Sequence, residues 1–106
     1  MYASVRRYRL DSGSVDDLMH RVDTGFAELI SRVPGFGAYE AIDCGDGTLC
    51  TVTIFHDAES ADASVQRAAE WIAENLGDLD LERTDVFGGE IMVSRANRGV
   101  LEPAHH

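Results

Sequence analysis

From Tyr2 to Leu10 the side chains alternate between two faces, with Ala3 and Val5 on one and Tyr2, Ser4, Arg6 and Tyr8 on the other. A repeat of two residues is the pattern of a β-strand. After "DSGS" the spacing changes: Val15, Leu18, Val22, Phe26, Leu29 and Val33 recur in steps of three and four. That is one apolar stripe on a helix, which Pro34 and Gly35 end. Ser14 is the predicted N-cap, with Asp17 as the capping-box acid and Asp16 favourable to the helix dipole. Gly25 inside this helix costs roughly 1 kcal/mol against alanine, which points to a close neighbour there. "FGAYEAIDC" and "TLCTVTIFH" read as two strands joined through Gly45, Asp46 and Gly47. Asp-Gly between alternating runs signals a hairpin, since both residues tolerate positive φ. A second helix follows Asp57, with Ala61, Val65, Ala68, Ile72 and Leu76 as its stripe and Gly77 as its stop. A polar loop, "DLDLERTD", then leads to a last strand, "VFGGEIMVSR".

The order β-α-β-β-α-β predicts a ferredoxin-like α+β domain, an antiparallel four-stranded sheet with two helices on one face. The expected domain covers residues 1–95, and the tail 96–106, ending in His105 and His106, is expected to be poorly ordered. An even-numbered hairpin loop sorts the sheet into two faces. Tyr39, Ala41, Cys50, Val52 and Ile54 fall with Ala3, Val5, Phe87, Ile91 and Val93, an apolar surface expected to lie under the helices. Ala38, Glu40, Ile42, Leu49, Thr51, Thr53 and Phe55 fall with Arg6, Tyr8, Glu90 and Met92. This second face carries more apolar area than water-facing sheets usually show. The expectation is a homodimer through it, with Arg6, Glu40 and Glu90 as a polar cluster of ion pairs.

Composition narrows the chemistry. The net charge of −10 over 106 residues opposes binding to nucleic acid or anionic membranes. Every basic residue is arginine, which removes Schiff-base chemistry and a Walker lysine. No apolar run approaches the roughly 18 residues of a membrane helix, and "MYASVRRYRL" has charges where a leader needs apolar residues. A soluble, cytoplasmic protein is expected.

"DCGDGTLC" has the look of a metal or redox loop, but its Asp-Gly turn argues for a connector. Cys44 and Cys50 are expected as free thiols on opposite faces, Cys50 the better buried. Two thiolates without a nearby histidine fall short of a zinc set, so no metal is expected. His56 beside Asp57 reads as a strand-end residue next to a helix cap, and His20 as solvated. "DSGSVD" reads as a helix start and not as a nucleophile elbow. Trp71, one step off the second stripe, and Tyr39 sit where a pocket between sheet and helices could open. With His56 they form the candidate pocket set.

The stretch "GFAELISRVPGFGAYEAIDCGDGTLCTVTIFHDAESADASVQRAAEWIAENL" resembles the antibiotic biosynthesis monooxygenase-like superfamily. The likeness rests on a helix ending in "PGF", a hairpin, a strand ending in an aromatic, and acid and alanine residues opening the second helix. It spans roughly residues 2–94 and implies a dimeric α+β barrel. It also implies a cofactor-free monooxygenase acting on a small hydrophobic aromatic compound; the alternative is a non-catalytic ligand-binding or structural dimer. The haem-degrading branch carries an asparagine, a tryptophan and a histidine ligand where this chain has Arg6, Phe55 and the Ala68–Ala69 neighbourhood. With no imidazole on that helix, haem cleavage is disfavoured and no cofactor is expected.

Overall fold

A computed structural model describes residues 1–101. Its order is β1 (Tyr2–Ser12), α1 (Val15–Arg21), a π turn (Val22–Phe26), α2 (Ala27–Ser31), β2 (Phe36–Gly45), β3 (Thr48–Phe55), α3 (Ala58–Asn75) and β4 (Asp80–Glu90). The strands form one antiparallel sheet in the order β2-β3-β1-β4, the expected ferredoxin-like topology. The predicted caps are in place. Ser14 Oγ accepts from the Asp17 amide at 3.2 Å and an Asp57 carboxylate oxygen from the Ser60 amide at 2.7 Å. That second bond also holds the Asp57 carboxyl below its ordinary pKa.

The first helix is continuous but not regular. At the π turn the Ala27 amide bonds back to Val22 O, five residues earlier, which inserts one residue into the stripe. Past that point the phase moves: Ile30 is fully buried, whereas Leu29, expected on the stripe, is exposed. Gly25 lies on the same turn, and a Cβ there would stand 2.6 Å from Trp71 Cζ2. The close neighbour that the glycine implied is the indole of α3.

The hairpin turns at Asp46 and Gly47, with φ of 53° and 77°, the paired positive values of a two-residue turn. Gly45 faces Thr48, but the next pair is Asp43 with Leu49, so Cys44 is a β-bulge. One extra residue reverses the facing of β2 from Asp43 to Ala38, and a second shift at Gly37 restores it at Phe36, which stands opposite Phe55. Tyr39 therefore stands opposite Thr53, and Glu40 opposite Val52, contrary to the expected sorting. Cys44 comes onto the side of Cys50, again contrary to expectation. Both thiols are free. The Cys44 pKa is raised by partial desolvation and then by the neighbouring Cys50 thiol.

Two further expectations are corrected. "DLDLERTD" is no loop: β4 begins at Asp80 and ends at Glu90, and Met92 and Val93 lie beyond it. A shift at Thr84, between the pairs Arg7–Asp85 and Tyr8–Arg83, lets the polar stretch join the ladder while Leu81 stays inward. The sheet also turns its other face to the helices. Ser4, Arg6, Tyr8, Leu10, Leu49, Thr53 and Phe55 are the buried set, and Ala3, Val5, Cys50, Val52 and Ile54 face away from the helices. Side-chain size explains the choice: Tyr8, Leu49 and Phe55 can fill the roughly 10 Å between layers, and the alanines and valines cannot. His105 and His106 lie outside the described residues.

Two apolar clusters fill that space. Tyr8, Leu10, Leu18, Leu49 and Leu76 form one, and Phe26, Ile30, Phe55, Ala61 and Ala68 the other. Trp71 packs against both.

Candidate functional site

At the joint between the clusters lies a cavity of about 40 Å³, bounded by the sheet, the π turn and α3. Four aromatic residues surround it: Tyr8, Phe26, Tyr39 and Trp71. Phe26 organises the ring packing, edge-on to Tyr39 at 5.5 Å between centroids and tilted against Trp71 at 5.8 Å. The π turn matters for function here, because it sets Phe26 inward while Gly25 admits the indole.

Arg6 is the polar centre. It rises from β1 among Ser4 and Tyr8 and is completely buried. Its Nε donates to Thr51 Oγ1 at 3.0 Å, one terminal nitrogen to Ser64 O at 3.3 Å, and the other to Thr53 Oγ1. The guanidinium carbon lies 6.0 Å from the centre of the Phe26 ring. All these partners are uncharged, and among the described residues Arg6 makes no ion pair. Desolvation consequently lowers its pKa. A buried cation without a carboxylate is unusual, since removing such a charge from water costs several kcal/mol, by order of magnitude about 5.

The tyrosines around it stay protonated. Burial pushes the Tyr39 hydroxyl up to about 12, against the opposing pull of Arg6. Burial also raises Tyr8, with Arg6 and Arg83 acting in the other direction. Both phenols are thus hydrogen-bond donors at neutral pH. The cavity wall contains no histidine, carboxylate or cysteine. Its chemistry is that of donors and aromatic surface around one positive charge.

The sequence-derived candidates separate. Tyr39 and Trp71 share the cavity through Phe26, but His56 is exposed at the end of β3, where its amide donates to Gly35 O at 2.8 Å. The expected polar cluster of Arg6, Glu40 and Glu90 does not form. Arg6 is under the helices, Glu40 is on the opposite face because of the Cys44 bulge, and Glu90 bonds the chain's own amino group at 3.2 Å. Phe26 and Leu81 line the wall unnoticed by the sequence reading, one hidden in a core stripe and the other in a presumed loop. The available signal for Arg6 was that it is the one charged residue on the strand face it shares with Tyr2, Ser4 and Tyr8. No cluster of three or more potential metal ligands occurs among the described residues.

No protein-family model and no curated protein matches the chain. Solved structures do. A protein of unknown function from Nitrosomonas europaea superposes with a TM-score of 0.71, at 17% identity over 91% of this chain and 93% of that one. A putative antibiotic biosynthesis monooxygenase from Chloroflexus aurantiacus J-10-fl gives 0.66, at 16% identity over 90% and 96%. This chain shares the ferredoxin-like fold of these structures. SnoaB, a cofactor-independent oxygenase from Streptomyces nogalater, gives 0.66, at 14% identity over 88% and 94%. Identities this low carry the fold and leave the activity to be argued from the site.

Proposed function

We propose that the cavity between sheet and helices binds a small aromatic compound and promotes its oxygenation without a cofactor. The observation that carries this is Arg6, a buried cation with no carboxylate, set among four aromatic residues. The guanidinium favours the phenolate of a bound phenol and so opposes the burial that raises Tyr39 and Tyr8 in the same place, which leaves a phenol that is already acidic in water ionised in the cavity. An electron-rich phenolate can reduce oxygen directly. One phenol and one O₂ give one quinone and one water, with all electrons coming from the substrate. Tyr39 and Tyr8 would orient the anion as donors, and Trp71 and Phe26 would hold the ring and exclude water. The cavity wall supplies no side-chain base, so this chemistry suits substrates that are already acidic.

Oxygen uptake with phenols and hydroquinones tests the proposal. Uptake that falls at least tenfold in a Tyr39→Phe/Trp71→Phe double variant supports it; uptake unchanged in that variant, or absent with every substrate, overturns it.

A second reading has its own support. At about 40 Å³ the cavity is smaller than the roughly 150 Å³ that admits a benzene ring, so side chains must move before a ligand enters. A non-catalytic ligand-binding protein would share every other feature, and bound ligand without oxygen uptake would select it.

The open face supports a homodimer. Across the sheet run Phe87, Val5, Val52 and Glu40 in one row, Gly89, Ala3, Ile54 and Ala38 in the next, then Asp85, Arg7, Cys50 and Ile42. This mostly apolar surface has no cover among the described residues, with Phe87 57% and Ile42 45% exposed. A second copy of the same face is the self-complementary cover that two-fold symmetry offers. Light scattering that reports a monomer at micromolar concentration would sink this assignment.

A further inference from the structure

Behind Tyr8, on the side away from the first cavity, a cleft of about 180 Å³ opens between α3 and β4. It is lined by Tyr8, Ala69, Ile72, Leu81 and Arg83. Tyr8, Ile72 and Leu81 also line the inner cavity, so these residues are a partition between the two spaces. The cleft exceeds the roughly 150 Å³ that holds a benzene ring, which the inner cavity does not.

The charges around the partition are all of one sign. Arg6 lies inside it and Arg83 at the outer rim, where one terminal nitrogen of Arg83 donates to Val65 O at 3.3 Å. Neither arginine has an ion-pair partner among the described residues. Neither space has a carboxylate in its wall. Arg67, Arg95 and Arg98 also make no ion pair among the described residues, but of these five arginines only Arg6 and Arg83 line one of the two spaces. A guanidinium has five N–H donors, and Arg6 spends three on Thr51, Ser64 and Thr53. One hydrogen on each terminal nitrogen is left over as a donor for an anion.

We infer that the ligand of this site is an aromatic acid, carrying a carboxylate or an acidic phenol, whose anionic group is received beside Tyr8 between Arg6 and Arg83 as its ring enters the inner cavity by way of the cleft between α3 and β4. The inference rests on the reading of the cavity as a ligand site and adds the charge of the ligand and its place. Arg83 and the Tyr8 hydroxyl meet the anion first, at the rim. Displacement of the Tyr8 ring joins the two spaces and brings Arg6 within reach. Arg83 is a specificity-determining residue here, because it distinguishes an anion from its neutral analogue before the buried charge is met.

Calorimetric titration of the purified protein with 1-naphthoate and with the uncharged 1-naphthamide tests this directly. The expected result is naphthoate binding about tenfold or more tighter than the amide, the difference made by charge-assisted hydrogen bonds. Arg83→Gln should remove most of that preference by weakening naphthoate binding far more than amide binding, with circular dichroism to show that the variant keeps its fold although the bond to Val65 O is lost. Arg6→Met should abolish naphthoate binding, with circular dichroism to show that the variant is folded. Equal affinity for acid and amide in the unaltered protein overturns the inference and leaves the cavity reading standing. No heat from either compound overturns both. Undiminished preference in Arg83→Gln overturns the assignment of the rim.

Discussion

The two faces of this sheet share their strands and alternate residue by residue, yet they do different work. The face under the helices holds large side chains, Tyr8, Leu49 and Phe55, around one buried arginine. The open face holds small aliphatic ones on its two central strands, Ala3, Val5, Val52 and Ile54, with Phe87 and Ile42 on the outer strands. Helices packed on a sheet leave wide spaces that need bulky side chains, and where those do not fill the space a cavity remains. A flat aliphatic face makes no cavity of its own and suits a second flat surface. Apolar content alone therefore predicts the covered face wrongly, because Arg6, Thr51 and Thr53 belong to the interior and the valines to the exterior. The difference teaches that side-chain volume, together with partners for each polar atom, decides which side of an amphipathic strand is the inside.

Substitutions on the two faces should separate this difference experimentally. Phe55→Ala removes a fully buried ring from the helix side and should cost about 3–5 kcal/mol in chemical denaturation. A loss below about 1 kcal/mol would mean that this face is not the core. Next comes the turn that joins the inner strands. Gly47 has φ of 77°, and a Cβ there would stand 2.6 Å from Leu10 O, so Gly47→Val should cost about 3 kcal/mol. Cys44→Ser and Cys50→Ser should each cost less than that in the same denaturation series.

A third experiment uses alkali. The Tyr39 hydroxyl titrates near 12 in the fold and near 10 in the unfolded chain, so the native state keeps its proton where the unfolded state has lost it. Stability is full below pH 10 and falls between 10 and 12, by at most about 1.4 kcal/mol per pH unit from this residue. Tyr8, raised by burial, acts in the same direction. Tyr39→Phe should flatten the decline; an unchanged slope would show that the residue is not buried as described. The smallest effect on the fold is expected on the other face. Val52→Asp should change monomer stability by less than about 1 kcal/mol while converting a dimer to a monomer in light scattering. A large loss of stability without a change in mass would assign that face to the core.

Much of the fold was legible in the chain because local rules act on neighbouring residues. Ser14 and Asp57 cap their helices, Asp46 and Gly47 take positive φ, and the element order yields the ferredoxin-like sheet. Trp71 stood out because it lay one step off a helical stripe and Tyr39 because it lay on the strand face expected under the helices, and the structure brings them to one cavity. The irregularities were not legible. The π turn at Val22–Phe26, the bulge at Cys44 and the shift at Thr84 each move the phase of an element by one residue. No local pattern marks them, since each is favoured by what packs against it: Trp71 against Gly25 in the first case, the inward placing of Tyr39 and of Leu81 in the others.

What the chain determined by itself was the set and order of its elements, their caps and their turn, all of which depend on backbone preferences over a few residues. Only the tertiary structure decided which face lies inside, and with it that Arg6 is a buried cation at a cavity and not an interface ion pair. The physical reason is that alternation distinguishes two faces without naming either. Long-range packing and the one-residue phase shifts must be summed before inside and outside acquire meaning.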